Sequence, residues 1–234
     1  MIITPLSASR RSALRGAAAG LAGALLAAGT AGCTLEGTRT VPSPGGDPSP
    51  GNAGPGQNGG RVLLAYFSRA GENYYYGGRT NLGTGNTEVL AGMISGLLRC
   101  DVHRIDAEDP YPDSYDATVA RNVREQNQDA RPGIATPLPN IDRYNAVILA
   151  SGIWNVRPPM IMATFAESYD FTGKTVYPVT THAMSGLGTT TRDYRSFCPG
   201  ATIGEGLAVK GEEVREAGAD IQSWLQRTGL LPAG

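Results

Sequence analysis

The sequence predicts an α/β domain in which a five-stranded parallel sheet lies between two layers of helices. Three observations support this prediction: apolar residues form short unbroken runs of strand length, these runs alternate with helical patterns, and both features lie within residues 61–234. Unbroken apolar runs are typical of parallel strands that are buried on both faces. Their alternation with helices predicts a sheet that is covered on both sides.

The strands are predicted from these apolar runs. The first, third and fourth runs are nearly unbroken, apart from Pro178 in the fourth, and the second and fifth are weaker. In chain order the predicted strands are 61–67, 102–105, 145–151, 174–181 and 201–203.

Helical periodicity separates the strands. The first helix has one apolar stripe, the second is polar and should lie on the surface, and the third begins at a proline, which suits a first turn. The fourth helix is less marked, and the fifth has an apolar face formed by Val214, Ile221, Trp224 and Leu225. In chain order the predicted helices are 87–99, 115–129, 159–168, 188–198 and 212–228.

The start of the chain carries the features of an export signal. Arg10 and Arg11 precede an apolar run over residues 16–29 that is too short to span a bilayer. Such a pattern is typical of a signal peptide, and the adjacent arginines resemble the twin-arginine type. Residues 30–33 resemble a lipoprotein cleavage box that ends at Cys33, although Thr stands where Leu is commonest. We expect export and lipidation of Cys33; a disordered Ala-rich leader is the alternative.

The chain is therefore expected to divide into a signal (1–33), a tether (34–60) and a folded domain (61–234). The tether is rich in Pro and Gly and has few apolar side chains, so it cannot bury enough surface to offset its ordering entropy. We expect a flexible linker that holds the domain clear of the membrane. With Cys33 lipidated, the protein would be anchored at the outer face of the cytoplasmic membrane and would contact the membrane only through this anchor.

Charge and cysteine content narrow the classes of function. Residues 61–234 hold 16 basic and 19 acidic side chains, a net charge of −3. A nucleic-acid surface would need a basic excess, and a dedicated electron shuttle usually has a more acidic surface. The cysteines lack the spacing of a metal site. We therefore expect neither a nucleic-acid partner nor a metal.

The segment Thr84-Gly85-Asn86-Thr87 predicts a phosphate site. It opens the first helix, where free backbone N–H groups and the positive end of the helix dipole attract anions. A glycine lets the backbone close around a phosphate, and the hydroxyls add donors. The alternative is an ordinary Gly-Asn turn with a threonine helix cap.

This segment also carries a family resemblance. Tyr66-Phe67-Ser68-Arg69 followed by Gly85-Asn86-Thr87 resembles the flavodoxin phosphate loop. Between Ser68 and Gly85 lie 16 residues, a length similar to a subfamily with a longer first loop. The resemblance implies a flavodoxin-like three-layer sandwich with strand order 2-1-3-4-5, and FMN as cofactor. It also implies that the stretch 74–83 is a flap or a partner surface. The residues implied to bind the phosphate end are Ser68, Arg69, Thr84, Gly85, Asn86 and Thr87.

Two further loops resemble the segments that hold the flavin ring in this family. The first is Ser151-Gly152-Ile153-Trp154-Asn155, in which Trp154 would pack on the ring and the backbone of residues 153–155 would bond the ring edge. A core position is the alternative for Trp154. The second is residues 181–188, which resemble Thr-His-Gly-x-Ser-Gly-x-Gly except that Ala183 replaces a glycine. Its implied contacts are Thr181, His182, Ser185, Gly186 and Gly188. His182 is a candidate catalytic residue, with a structural hydrogen bond as the alternative, whereas His103 is expected to be structural.

Two features fit the resemblance more loosely. Pro110-Tyr111-Pro112 and the polar segment 121–127 are similar to family residues, but their simplest interpretation is a surface helix face. Cys100 and Cys198 would lie at opposite edges of a 2-1-3-4-5 sheet, too far apart for a disulfide, so we expect both to be unpaired.

The resemblance implies an FMN-binding oxidoreductase that transfers electrons to quinone-like or other small aromatic acceptors. A flavodoxin-type electron carrier without its own substrate is one alternative, and a binding module without flavin is another. A loop that shields the flavin would favour the enzyme, and an exposed flavin edge would favour the carrier. NAD(P)H is scarce outside the cytoplasmic membrane. If the protein is exported, a membrane quinol or a redox protein is therefore the expected electron donor.

Overall fold

The computed structural model describes residues 61–137 and 140–232. The predictions for the signal, the tether and Cys33 lie outside the described residues. The described strands are β1 (Val62–Tyr66), β2 (Gly71–Tyr75), β3 (Gly78–Leu82), β4 (Asp101–Arg104), β5 (Ala146–Gly152), β6 (Thr175–His182), β7 (Thr202–Ile203) and β8 (Leu207–Lys210). The helices are α1 (Asn86–Leu97), α2 (Tyr115–Asn127), α3 (Met160–Glu167), α4 (Thr190–Phe197) and α5 (Gly218–Arg227), with a 3₁₀ helix at Gly211–Glu216.

The central sheet is parallel and has the order β4-β1-β5-β6-β7, with β8 also paired to β6. In chain order this is the predicted 2-1-3-4-5 arrangement, so the α/β fold prediction is confirmed. Along β1 the side chains alternate between two buried layers. Leu64 packs with Ile94 and Trp224 on one face of the sheet, and Leu63 packs with Phe165 on the other. Burial on both faces explains why the strand is an unbroken apolar run.

The fifth predicted strand is wrong in extent, because two short strands share that edge of β6. β7 pairs with residues 175–176 of β6, and β8 pairs with residues 179–182. Pro178 falls between the two ladders, where its missing N–H breaks neither of them. The second short strand was missed, and it matters because it brings the chain to the carboxyl end of β6.

Two other predicted elements differ from the structure. The long C-terminal helix is divided at Ala217 into the 3₁₀ helix and α5, although its predicted apolar residues are all buried. The stretch 74–83, for which no strand was predicted, lies up to Leu82 in the antiparallel hairpin of β2 and β3, and its expected role as a flap or a partner surface stays a prediction. Neither Cys100 nor Cys198 forms a disulfide within the described residues, as predicted. In the same part of the chain, no helix combines the length and apolar character needed to cross a bilayer.

Candidate functional site

One cavity of about 500 Å³ lies where β1, β5, β6 and β8 end. The carboxyl ends of parallel strands meet at the same edge of a sheet, which is where ligands bind in folds of this class. The three predicted loops meet there. The Thr87 and Thr181 hydroxyl oxygens are 2.7 Å apart, and the Ile153 N–H donates to the Thr181 carbonyl at 2.9 Å. The predicted site residues that line the cavity are Ser68, Arg69, Asn86, Thr87, Gly152, Ile153, Trp154, Asn155, Thr181 and His182.

The other predicted site residues lie outside the cavity lining. They are Thr84, Gly85, Ser151, Ser185, Gly186 and Gly188. Thr84 and Ser185 are exposed, and Ser151 is buried in β5. The Gly186 carbonyl accepts a hydrogen bond from Thr180. Two of the glycines support the site by allowing close backbone approach. A Cβ on Gly85 would collide with Arg69, and one on Gly188 would collide with Val156.

The N-terminus of α1 forms the end of the cavity that is suited to bind a phosphate. The Glu88 N–H donates to the Ser68 hydroxyl oxygen at 3.0 Å and to the Gly85 carbonyl at 3.0 Å. Within the described residues, the N–H groups of Asn86 and Thr87 have no acceptor. Two free donors at a helix N-terminus, beside the Thr87 hydroxyl, can hold a phosphate without a lysine.

Arg69, a predicted phosphate contact, lines the cavity and also makes structural hydrogen bonds. Its guanidinium donates to the carbonyls of Pro112, Asp113 and Glu72, at 3.0 Å and 2.9 Å for the first two. Burial lowers the pKa of this group, with Asp113 and Glu72 acting in the opposite direction. Arg69 therefore fastens the base of the hairpin and places a positive charge in the cavity wall.

The loop after β5 turns sharply beside the cavity. Trp154 is half-buried and packs edge-on against Phe67 and Tyr111, with ring centroids 5.6 Å and 5.0 Å away. Asn155 and Val156 then adopt positive φ angles of 51° and 63°. This conformation is rare for a β-branched residue such as Val156 and costs about 1–3 kcal/mol. The surrounding structure must hold it in place.

Two residues hold this turn, Thr189 and Gln126. The Thr189 N–H at the start of α4 donates to the Val156 carbonyl at 2.8 Å. From α2, the Gln126 side-chain amide donates to the Trp154 carbonyl at 2.9 Å and accepts from the Asn155 amide at 3.1 Å. Because the turn is fastened to two helices, its strained conformation is kept.

Helix α2 is part of the site, and its interpretation as only a surface helix face is wrong. Its residues Tyr115, Thr118, Val119, Asn122 and Val123 line the cavity. The helix itself was predicted, but its place in the cavity wall was missed because its cavity face mixes polar and small apolar residues and has no apolar stripe. The spacing of Val119, Asn122 and Val123, which share one helix face, is the signal that could have found it.

A buried polar cluster fixes α2 to the aromatic wall. The Tyr111 hydroxyl donates to the Glu125 carboxylate at 2.8 Å, and the Arg121 guanidinium donates to the same carboxylate at 2.7 Å. Arg121 also stacks over the Tyr111 ring at 4.0 Å. Burial, reinforced by the Glu125 charge, raises the pKa of Tyr111 strongly. Tyr111 is thus held as a hydrogen-bond donor while its ring supports Trp154.

His182 faces the cavity from the end of β6. Its Nδ1 atom is buried and has no partner among the residues that the structure describes. Burial lowers its pKa, with the Glu212 charge acting in the opposite direction, so the neutral ring is favoured. His103 lies elsewhere, stacked on Phe165 with centroids 5.7 Å apart, which agrees with its expected structural role.

The hairpin of β2 and β3 forms one side of the cavity through Asn73 and Tyr74. At its base, Glu72 accepts from the Tyr115 N–H at 2.9 Å. Nearer the turn, Arg79, which lies opposite Tyr74, pairs with Asp116 at 2.8 Å. At its tip, the Tyr76 N–H donates to the Glu212 carboxylate at 3.2 Å. The hairpin is therefore anchored at both ends and narrows the opening.

These residues fit a flavin mononucleotide. The cavity volume lies within the usual range of about 300–1,000 Å³ for cofactor sites. The free N–H groups at α1 suit the phosphate, and the flat face of Trp154 suits an aromatic ring. The space that a Cβ on Gly85 would occupy is already filled by Ser68 and Arg69, as expected of a backbone that closes tightly on a small anion.

Comparisons with known proteins indicate the family and the fold of this chain. A family model described as Flavodoxin matches residues 61–228. A solved structure of a candidate flavoprotein from Bacteroides uniformis has a TM-score of 0.59 at 24% identity, and covers 72% of this chain and 99% of that chain. One from Bacteroides eggerthii has a TM-score of 0.57 at 25% identity, with coverages of 72% and 98%. A flavoprotein from Lactobacillus acidophilus, solved in complex with FMN, has a TM-score of 0.50 at 14% identity, with coverages of 67% and 97%. Among curated proteins, no match was found.

Proposed function

Because the chain belongs to the flavodoxin family, we propose that it is an FMN-dependent oxidoreductase that transfers electrons to quinone-like or other small aromatic acceptors. FMN is its cofactor and, when bound, supplies hydride and one-electron chemistry. The protein binds the cofactor, orients it and sets the electrostatics around it. Reduction of a quinone to a hydroquinone takes two electrons and two protons. The proposed donor is a membrane quinol, which supplies both, or a redox protein, which supplies the electrons while the protons come from solvent.

Residues at one end of the cavity would bind the phosphate of the cofactor, and residues at the other end would bind its ring. The N–H groups of Asn86 and Thr87, with the Thr87 hydroxyl, would hold the phosphate. Trp154 and the backbone after β5 would hold the ring. Gly188, in the second half of the loop after β6, lies against Val156 and so supports the turn after β5.

The observation that carries the proposal is the hairpin anchored across the cavity opening. It places Tyr74 in the wall and fastens its tip to Glu212. A narrowed opening admits a small molecule more readily than the surface of a redox protein. The domain's net charge of −3 is also small, whereas electron carriers attract basic partners with a strongly acidic surface.

The test is a comparison of two electron acceptors. The purified protein is loaded with FMN, reduced anaerobically with a measured amount of dithionite, and mixed with 1,4-benzoquinone or with a haem protein. We expect reoxidation by the quinone to be the faster reaction. Faster reoxidation by the haem protein would establish the carrier function instead, and a purified protein that is colourless and takes up no FMN would contradict both.

We also propose that the protein is exported by the twin-arginine route, with Cys33 as its lipid anchor. The support comes from the sequence alone: adjacent arginines, a short apolar run and a cleavage-like box. Replacing Cys33 with serine is expected to move the exported protein from the membrane fraction to the soluble fraction, because the acyl chains provide the anchor. A variant with lysines at Arg10 and Arg11 is the control for the route and should stay in the cytoplasm. An unchanged membrane fraction for Cys33→Ser would contradict the anchor.

A further inference from the structure

A second depression adjoins the cavity and has a volume of about 410 Å³. The two spaces share part of their walls, so a molecule in the depression would lie next to one in the cavity. The shared residues are Tyr74, Ala183, Met184 and Glu212. The depression alone is completed by Tyr76, Gly77 and Lys210.

The walls of the depression expose large apolar groups. The Tyr76 side chain is 64% exposed and that of Met184 is 83% exposed. Large apolar groups that gather at one exposed position mark a binding surface more often than single exposed ones do. A flat phenol ring and a flexible thioether are suited to contact with another flat aromatic molecule.

The charges around the depression select against an anion. The Lys210 ammonium pairs with the Glu213 carboxylate at 3.2 Å, and the Glu212 carboxylate accepts from the Tyr76 N–H. Two carboxylates thus surround one ammonium, which leaves a negative excess. An ammonium has three donors, so Lys210 keeps hydrogen-bonding capacity for a carbonyl oxygen.

We infer that this depression is the acceptor subsite, and that it takes a neutral, flat aromatic carbonyl compound of one or two rings. The inference rests on the proposed function, because it places the acceptor beside the FMN cavity. It adds the position of the acceptor, its charge preference and the residue, Tyr76, that contacts it without lining the cavity. The depression has the volume of a small-molecule site.

The test measures acceptor binding without any electron transfer. The oxidised, FMN-loaded protein is titrated with 1,4-naphthoquinone by calorimetry, with no electron donor present. In Tyr76→Asn the dissociation constant should rise about three- to tenfold, the usual worth of one aromatic contact. Tyr76 has a positive φ of 44°, which asparagine adopts readily, so the hairpin and the FMN affinity should be unchanged. The ring-sulfonated naphthoquinone should bind the wild type more weakly than the neutral compound does.

The matched control is Val102→Asn, which alters an exposed apolar residue on β4 outside both spaces. Equal effects of the two substitutions, or tighter binding of the sulfonated compound, would overturn the subsite. The two proposals fail in different ways. If naphthoquinone binds through Tyr76 but is not reduced, the proposed function is wrong, and the depression is an aromatic binding site and not an acceptor subsite. If it is reduced and Tyr76→Asn leaves its KM unchanged, the subsite is wrong and the function stands.

Discussion

Replacing Gly85 with alanine is expected to weaken FMN binding more than any other single methyl addition in the phosphate loop. Gly85 precedes α1 with φ −67° and ψ 148°, a conformation open to any residue, so the effect is purely steric. The new Cβ would collide with the Ser68 hydroxyl and the Arg69 carbonyl group, whose carbon would be 2.8 Å away. Ser68 holds the Glu88 N–H, so its displacement would disturb the donors that face the phosphate.

The expected size follows from the cost of overpacking. An extra methyl in a filled space costs about 1–3 kcal/mol, which corresponds to an affinity for FMN about 5- to 150-fold lower. The measurement is a titration of apoprotein with FMN, followed by flavin fluorescence. Thermal unfolding without FMN separates loss of binding from loss of the fold.

Gly83→Ala is the matched control, because a Cβ at that position would have nothing within 4 Å. It lies two residues earlier in the same loop and should bind FMN as the wild type does. Equal affinity of Gly85→Ala and Gly83→Ala would show that the loop does not close on the phosphate in the way its packing indicates.

The sheet and the three loops could be predicted because their signals are local. The run at 62–66 is apolar on both faces, and the Gly-Asn-Thr at 85–87 marks a helix start that binds anions. The parallel topology then brings the loops to one edge. Ser185, Gly186 and Gly188, which were predicted to bind the cofactor, do not line the cavity. A motif does not show which of its residues face the ligand and which support it.

The hairpin, and the place of α2 in the cavity wall, could not be predicted because both depend on distant partners. The segment 71–82 is polar and lacks a buried face, and it is held by contacts such as that of Glu72 with Tyr115. Likewise, nothing near Gln126 in the sequence indicates that its amide meets the Trp154 carbonyl. Such partners become visible only when the fold has placed them side by side.

Gln126→Glu is expected to weaken FMN binding in a pH-dependent manner. The Gln126 amide donates to the Trp154 carbonyl and to the Asn122 side-chain oxygen, at 2.9 Å and 3.1 Å. A carboxylate in the same position would face two acceptors with no proton to share. Leaving such buried groups unpaired costs about 1–3 kcal/mol, or about 5- to 150-fold in FMN affinity. The strained turn at Asn155 and Val156 would then lose the hydrogen bond that Gln126 donates to the Trp154 carbonyl.

The direction of the pH effect identifies the cause. Neighbouring acceptors and partial burial raise the pKa of a glutamate above its ordinary value of about 4.3, and a protonated carboxyl regains one donor. The FMN affinity of Gln126→Glu, relative to wild type, should therefore rise as pH falls from 7 to 5. Gln126→Leu removes the same donors without adding a titratable group, so its affinity should be low at every pH.

Gln128→Glu is the matched control, an exposed position at the end of the same helix whose side chain makes no hydrogen bond within the described residues. It adds the same charge near the site and should leave FMN binding unchanged. If Gln126→Glu and Gln128→Glu bind FMN alike, the turn after β5 does not depend on Gln126. Its strained conformation must then be maintained by other contacts, such as those of Thr189 with Val156 and of Trp154 with Arg157.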